Sequence, residues 1–287
     1  MAAASPLGQL LLSLHEQVPE PPLLAAGACG GPFVIASLTP LRNAMSNGAQ
    51  DQLASFRQLY GKALGLQHAS GLRQSLRVAF TGAGTSALPA CPQWCAIGPA
   101  FHFLHGYMAT PFALLSTAVL ETLITYGSQS RNAQMAYNVQ SSGQAVPLFQ
   151  PYRPWGPGAC FFVLRNACGM GGIRWLSPSL QEALRPLLPS GPREAAADLL
   201  ASTLTCAVSA PLNLAWTYTV TSPSLWPQPP LERCRSLARH LADQYLTGGA
   251  SRRLARRDLG ARCVYVACCF SMFSGIERLM MAYWPAG

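Results

Sequence analysis

Six apolar stretches, at residues 23–45, 84–107, 110–127, 158–176, 197–221 and 261–284, run near the length needed to cross a bilayer, about 20 residues each. None is uniformly greasy, because Gly, Pro, Ser or an occasional charge interrupts every one. A chain of 287 residues that is 50% hydrophobic and 11% charged is too apolar for an ordinary soluble domain. Interrupted spans are tolerated where neighbouring helices or a wet cavity satisfy the freed polar groups. These features predict a bundle of channel or transporter type rather than a simple anchor.

Charge orients the expected spans. The net charge is +9, and arginine supplies 19 of the 20 basic residues. The surplus lies in three connections: residues 46–83, residues 222–260 and the intervening loop with Arg131 and Arg153. Basic loops stay on the side from which insertion occurs, so all three are expected in one compartment and both termini in the other. No basic, apolar leader opens the chain, and no cleaved presequence is expected. The ten cysteines read as buried thiols, not a disulfide framework.

Internal similarity organises the spans. Gly48 and Gln50 recur as Gly127 and Gln129, and Pro40 recurs as Pro211, which sets successive units about 80 and about 90 residues apart. Three units follow: 23–108, 109–190 and 191–287, after a tail at 1–22. Each joins an odd span through a long basic loop to an even span.

The stretches "GGPFVIASLTPLRNAMSNGAQ", "LLASTLTCAVSAPLNLAWTYTVTS" and "GGASRRLARRDLGARCVYVACCF" resemble the mitochondrial carrier family over nearly the whole chain, from Leu23 to Trp284. The resemblance implies an all-α membrane protein whose six transmembrane helices form three pseudo-symmetric helix-pair repeats with short amphipathic loop helices. It also implies a mitochondrial inner-membrane location, with the basic loops facing the matrix. In that family the odd helices end in Pro-x-acid-x-x-base, and the charges pair into a gate under a central cavity.

Here the proline positions hold Pro40, Val119 and Pro211, the acidic positions Arg42, Glu121 and Asn213, and the basic positions Met45, Ile124 and Trp216. One acid survives and no base, so a ring of ion pairs is not expected. Arg42 with Glu121 is left as one inverted pair. The opposite gate, sought in "FHFLH" (101–105), "LQEAL" (180–184) and "IERLM" (276–280), keeps only Glu277. Arg165, Arg174, Arg257, Arg262 and Arg278 fall in or beside even spans. There they either clamp an anionic solute or lipid, or snorkel to headgroups or pair with Glu277, Asp258 or backbone carbonyls.

"RRLARRD" (252–258) is basic enough for nucleic acid, but on a membrane loop it is expected to face headgroups, cardiolipin included. "CPQWC" (91–95) with His102 and His105 departs from zinc-site spacing and lies inside a span, so no metal is expected. "GMGG" (169–172) is read as close helix packing. No catalytic motif or cofactor fingerprint is present, and no enzyme is expected. The sequence leaves two functions open: a non-transporting accessory subunit bound to other inner-membrane proteins, within respiratory-chain machinery, or an active carrier of a small anionic metabolite.

Overall fold

A computed structural model describes residues 21–49, 54–66, 71–140, 145–246 and 251–284. The chain is all-α over these residues. Helices α1 (Pro21–Ala25), α2 (Gly31–Ser37) and α3 (Thr39–Gly48) form one rod, with a π turn at Ala26–Gly30. Short helices α4 (Phe56–Ala63) and α5 (Leu72–Ala79) lead to α6 (Ala83–His105). Next come α7 (Thr110–Gln140), α8 (Ala159–Gly171), a π turn at Gly172–Leu176, and α9 (Ser177–Leu184). The last third holds α10 (Ser190–Thr221), α11 (Pro230–Tyr245) and α12 (Ser251–Tyr283).

The rods close a ring. The first rod packs on α6, α6 on α7, α7 on α8, α8 on α10, and α10 on α12, which returns to the first rod. Inside the ring, α3, α7 and α10 also meet one another. The order of long helix, connection and long helix thus recurs three times. Gly82 and Gly158, with φ of 79° and 77°, supply the left-handed turn that starts α6 and α8, a conformation glycine adopts without steric cost.

Local chemistry explains the breaks. Pro40 has no N–H to continue the ladder, and the rod bends at Leu38 (φ −91°, ψ 7°). At that bend the Thr39 hydroxyl donates to the Ile35 carbonyl at 3.0 Å. Pro211, by contrast, is carried inside an unbroken α10. Glycine lets the first rod pass between its neighbours: a Cβ on Gly31 would meet the Trp94 ring at 2.8 Å, and one on Gly30 would meet Ile276 Cγ2 at 3.0 Å. Within "GMGG" only Gly172 makes so close an approach, 2.7 Å from Thr205 Cγ2.

The loop helices occur in two of the three connections. Ser55 and Gln58 form a reciprocal cap on α4 (Gln58 N to Ser55 Oγ 3.3 Å, Ser55 N to Gln58 Oε1 2.7 Å), and Leu59 with Ala63 buries one face. α11 buries Leu237 and leaves Arg235 and Arg239 exposed. The second connection departs from the expectation, since residues 145–158 contain no helix. Its prolines, at 147, 151, 154 and 157, remove helix donors and fix φ. Side chains of α7 hold it as an extended strap instead. Asn138 bonds both the N–H and the carbonyl of Val146 at 2.8 Å, Gln134 Oε1 accepts from Phe149 N at 2.8 Å, and Arg131 donates to the Phe149 carbonyl at 2.9 Å.

Hydropathy gives a narrower result than six spans. Among the described residues one helix, Ser190–Thr221, is long and apolar enough to cross a membrane, and a shorter apolar run covers Ala26–Ser37. Prolines 89, 92 and 99 inside α6 and the polar residues of α7 and α12 lower the others. Large apolar side chains nevertheless face outward on every rod, among them Phe33, Leu88, Phe112, Leu164, Leu204 and Val264.

Candidate functional site

The gate register selects Pro40, Arg42 and Met45 in α3, Glu121 and Ile124 in the middle of α7, and Pro211, Asn213 and Trp216 toward the C-terminus of α10. Pro40 and Trp216 are buried, while Met45, Glu121, Ile124, Pro211 and Asn213 are half-buried. Arg42 is only 8% exposed, and its Nε, Nη1 and Nη2 atoms have no hydrogen-bond partner. An arginine stays charged in a protein, so an orphaned guanidinium here is a strong demand for a counter-charge.

Glu121 does not meet it. The carboxylate accepts from Gln93 Nε2 at 2.7 Å, and the cation that acts on it is Arg165. The inverted Arg42–Glu121 pair is therefore not formed, because α6 and α8 occupy the space beside Glu121 with Gln93 and Arg165.

Arg165 is the best-held of the group. Its Nη1 donates to Asn213 Oδ1 at 3.0 Å, and its Nε and Nη2 donate to Asn166 Oδ1 at 3.2 and 2.9 Å. The guanidinium also lies over the Phe162 ring at 4.0 Å and the Trp216 ring at 5.0 Å, an arrangement that suits arginine more than lysine. Trp216 stands where the family pattern has a base, but its work is packing. It meets Phe162 edge to face at 4.8 Å and donates from Nε1 to Ser130 Oγ at 3.3 Å. Tyr126, Phe149 and Val220 complete that core.

Arg262 donates from Nε to Ser209 Oγ at 3.0 Å. Arg262 also lines a small pocket with Met45, Asn213, Leu214, Arg257 and Asp258. Arg262, Glu121, Tyr265 and Arg42 act electrostatically on Arg165, and Tyr265 acts on Arg42 and Arg262. One of these arginines comes from each helical unit, and Glu121 is the one acid named beside them among the described residues.

The other arginines disperse. Arg257 is structural, since its Nη1 donates to the Ala54 carbonyl at 2.7 Å, its Nη2 to the Gly48 carbonyl at 2.9 Å and its Nε to Asp258 at 2.9 Å. Of the readings its sequence left open, Arg257 follows the one in which it pairs with Asp258 and backbone carbonyls. Arg174 stands 3.4 Å from His102 Nε2, with its cation 5.6 Å from the Phe101 ring, apart from the other three. The side chains of Arg278 and Glu277 lie outside the described residues, as does that of Arg252. Glu182 in "LQEAL" pairs with Arg185 at 3.2 Å on the surface, so it contributes no inter-helix gate. Cys91 and Cys95 are free thiols, and Cys95 lies against the Leu24 carbonyl at 3.6 Å.

Gln93, Asn166, Ser209 and Tyr265 escaped the sequence reading, which followed the odd-helix motif. Each is a polar side chain inside an apolar stretch, and that was the available signal. No protein-family model matches this chain, and no curated protein matches it either.

Proposed function

We propose that this protein is a carrier-like, six-span inner-membrane protein of the mitochondrion that does not transport, serving as an accessory subunit attached to respiratory-chain machinery. The observation that carries the reading is the loss of paired charge at the gate-register positions of α3, α7 and α10. Arg42 has no acid, Glu121 is held by Gln93, Asn213 is held by Arg165, and Trp216 is locked in an aromatic core. An alternating carrier needs an interaction at each end of its cavity that can form and break. Aromatic packing with side-chain amides does not separate as readily as an ion pair exposed to water.

Several features support the membrane reading. Large outward apolar residues recur on every rod of the ring, as a surface facing lipid requires. Thr117, Thr122, Thr125, Thr205, Thr219 and Thr221 return their hydroxyls to carbonyls of their own helices, which satisfies them where water is absent. Arg73 and Arg77 of α5, beside exposed Leu72 and Leu76, suit a matrix-side surface of acidic lipid such as cardiolipin.

The second reading is a carrier of a small anionic metabolite, and the buried Arg42 guanidinium, with no hydrogen-bond partner among the described residues, favours it. Two measurements separate them. Purified protein in liposomes, offered nucleotides, carboxylates, phosphate and amino acids, is expected to give no exchange above empty vesicles, and saturable exchange overturns the structural reading. On native gels of solubilised inner membrane the protein is expected to co-migrate with a large complex, whereas migration at its own size overturns it.

A further inference from the structure

We propose that the extended strap lies in the headgroup layer of a phospholipid bilayer and anchors there through Tyr152, Arg153 and Trp155, which holds only if the chain spans a membrane as proposed. The strap offers a two-sided surface. Val146 and Phe149 turn inward, with 3% and 6% of their surface exposed, whereas Leu148, Tyr152 and Trp155 turn outward at 40%, 79% and 47%. Arg153 is exposed among them, its Nε donating to the Trp155 carbonyl at 2.9 Å and its cation 4.6 Å from the Phe149 ring. No acid occurs between residues 145 and 158, so the patch is cationic as well as aromatic and complements the charge of phosphate headgroups. Tyrosine and tryptophan favour such a layer because each has an apolar body and a polar edge.

Level in the molecule decides between lipid and a protein, which the same residue types would also suit. The strap runs back along α7. Val146 is held by Asn138, Phe149 by Gln134 and Arg131, and Arg153 reaches Gly127, where a Cβ would fall 2.6 Å from its backbone. These α7 positions recur every three or four residues, along one face of the helix. From Gly127 to Gln140 the helix rises about 20 Å, so the return carries Arg153 back to the residue at which the apolar stretch 110–127 stops. Tyr126 Oη donates to the Pro157 carbonyl at 2.6 Å at that same level, and Gly158 then leads into α8, the next apolar stretch. Tyr152, Arg153 and Trp155 thus stand between the end of one expected span and the start of the next, where a bilayer has its headgroups. A strap left at the tip of α7 would instead stand clear of lipid.

The full-length protein, labelled with fluorotryptophan, is placed in phosphatidylcholine nanodiscs, and Trp155→Phe identifies the Trp155 fluorine resonance. A lipid with a nitroxide on its headgroup is expected to abolish that resonance, and a lipid with a nitroxide at the acyl-chain end is expected to leave it. Survival of the resonance with both lipids places the strap in water or under another protein and overturns the proposal. Loss with the chain-end nitroxide places it in hydrocarbon and overturns the proposal too. Leu204→Trp, at an exposed position midway along α10, reports on the membrane reading itself and is expected to lose its added resonance to the chain-end nitroxide. Should L204W fail to fold, V208W takes its place. If the added resonance survives both lipids, the membrane reading falls and the anchor with it. If it is lost while Trp155 is untouched by the headgroup nitroxide, the anchor alone falls.

Discussion

Arg257 Nη2 donates to the carbonyl of Gly48 at 2.9 Å, across 209 positions of chain. The bond ties the start of α12 to the end of α3 and satisfies one of the carbonyls that a helix C-terminus leaves open. A second bond, to Ala54, holds the chain that follows.

Replacing Arg257 by Met removes both and strands Asp258, whose side chain is 16% exposed. The expected loss is about 3–5 kcal/mol, the usual consequence of breaking a buried pair from one side. Thermal unfolding of the purified protein checks it, and the double variant R257M/D258N is expected to recover part of the loss. A single-variant midpoint equal to wild type would show that the ring closes without this contact.

Gly127→Ala tests the strap. A Cβ there would fall 2.6 Å from the backbone N and O of Arg153 and 2.7 Å from the Gln150 carbonyl. Backbone cannot swing aside as a side chain does, so a cost of about 1–3 kcal/mol is expected. Gly61→Ala, with nothing within 4 Å, is the control and is expected to be neutral or to stabilise by up to about 1 kcal/mol. Equal midpoints for the two variants would remove the argument.

Trp216→Ala is expected to cost about 3–5 kcal/mol, since the ring fills the core beside Phe162 and carries the bond to Ser130. A full-strength fold in W216A would return Trp216 to the list of gate residues rather than packing residues.

Asn213→Asp places a carboxylate 3.0 Å from Arg165 Nη1, in the register where the carrier pattern has an acid. Stability is expected to rise by about 1 kcal/mol, because the arginine centre lacks negative charge. A drop in the unfolding midpoint would mean that the centre is already neutralised.

His240 supplies a pH dependence. Its ring stacks on Tyr218 at 3.6 Å, and burial holds its pKa below the ordinary 6.5 despite a hydrogen bond with the Ala49 backbone and the nearby Asp243. A histidine depressed on folding favours the native state above its unfolded pKa and withdraws that contribution as pH falls. The midpoint is therefore expected to fall as pH drops from 6.5, and His240→Gln is expected to flatten the response. An unchanged pH profile in H240Q would assign the effect elsewhere.

Much of this arrangement is local and could be read from the chain. Pro40 announces a helix bend because proline cannot donate, and the bend lies at Leu38, two residues before it. Gly48 and Gly127, matched by sequence, both sit where a connection crosses an odd helix, 3.1 Å from Leu59 Cδ1 and 2.6 Å from the Arg153 backbone at the Cβ position. Pairing with Asp258 or backbone carbonyls was among the readings open for Arg257, but not which carbonyls, since those of Gly48 and Ala54 leave no trace in residue type. The role of Gln93 was not legible, because it acts through Glu121 on the adjoining helix. The loop helix expected in the second connection failed for a local reason visible afterwards, the proline spacing of 147 to 157.

That proline strap has a geometric consequence. A body built from three like units can be turned by a third of a circle and present nearly the same outline. Two of its sides carry a loop helix, and the third carries an extended segment fastened by Asn138, Gln134 and Arg131. The rotational ambiguity is lifted, and a neighbour meets a molecule with only one way round.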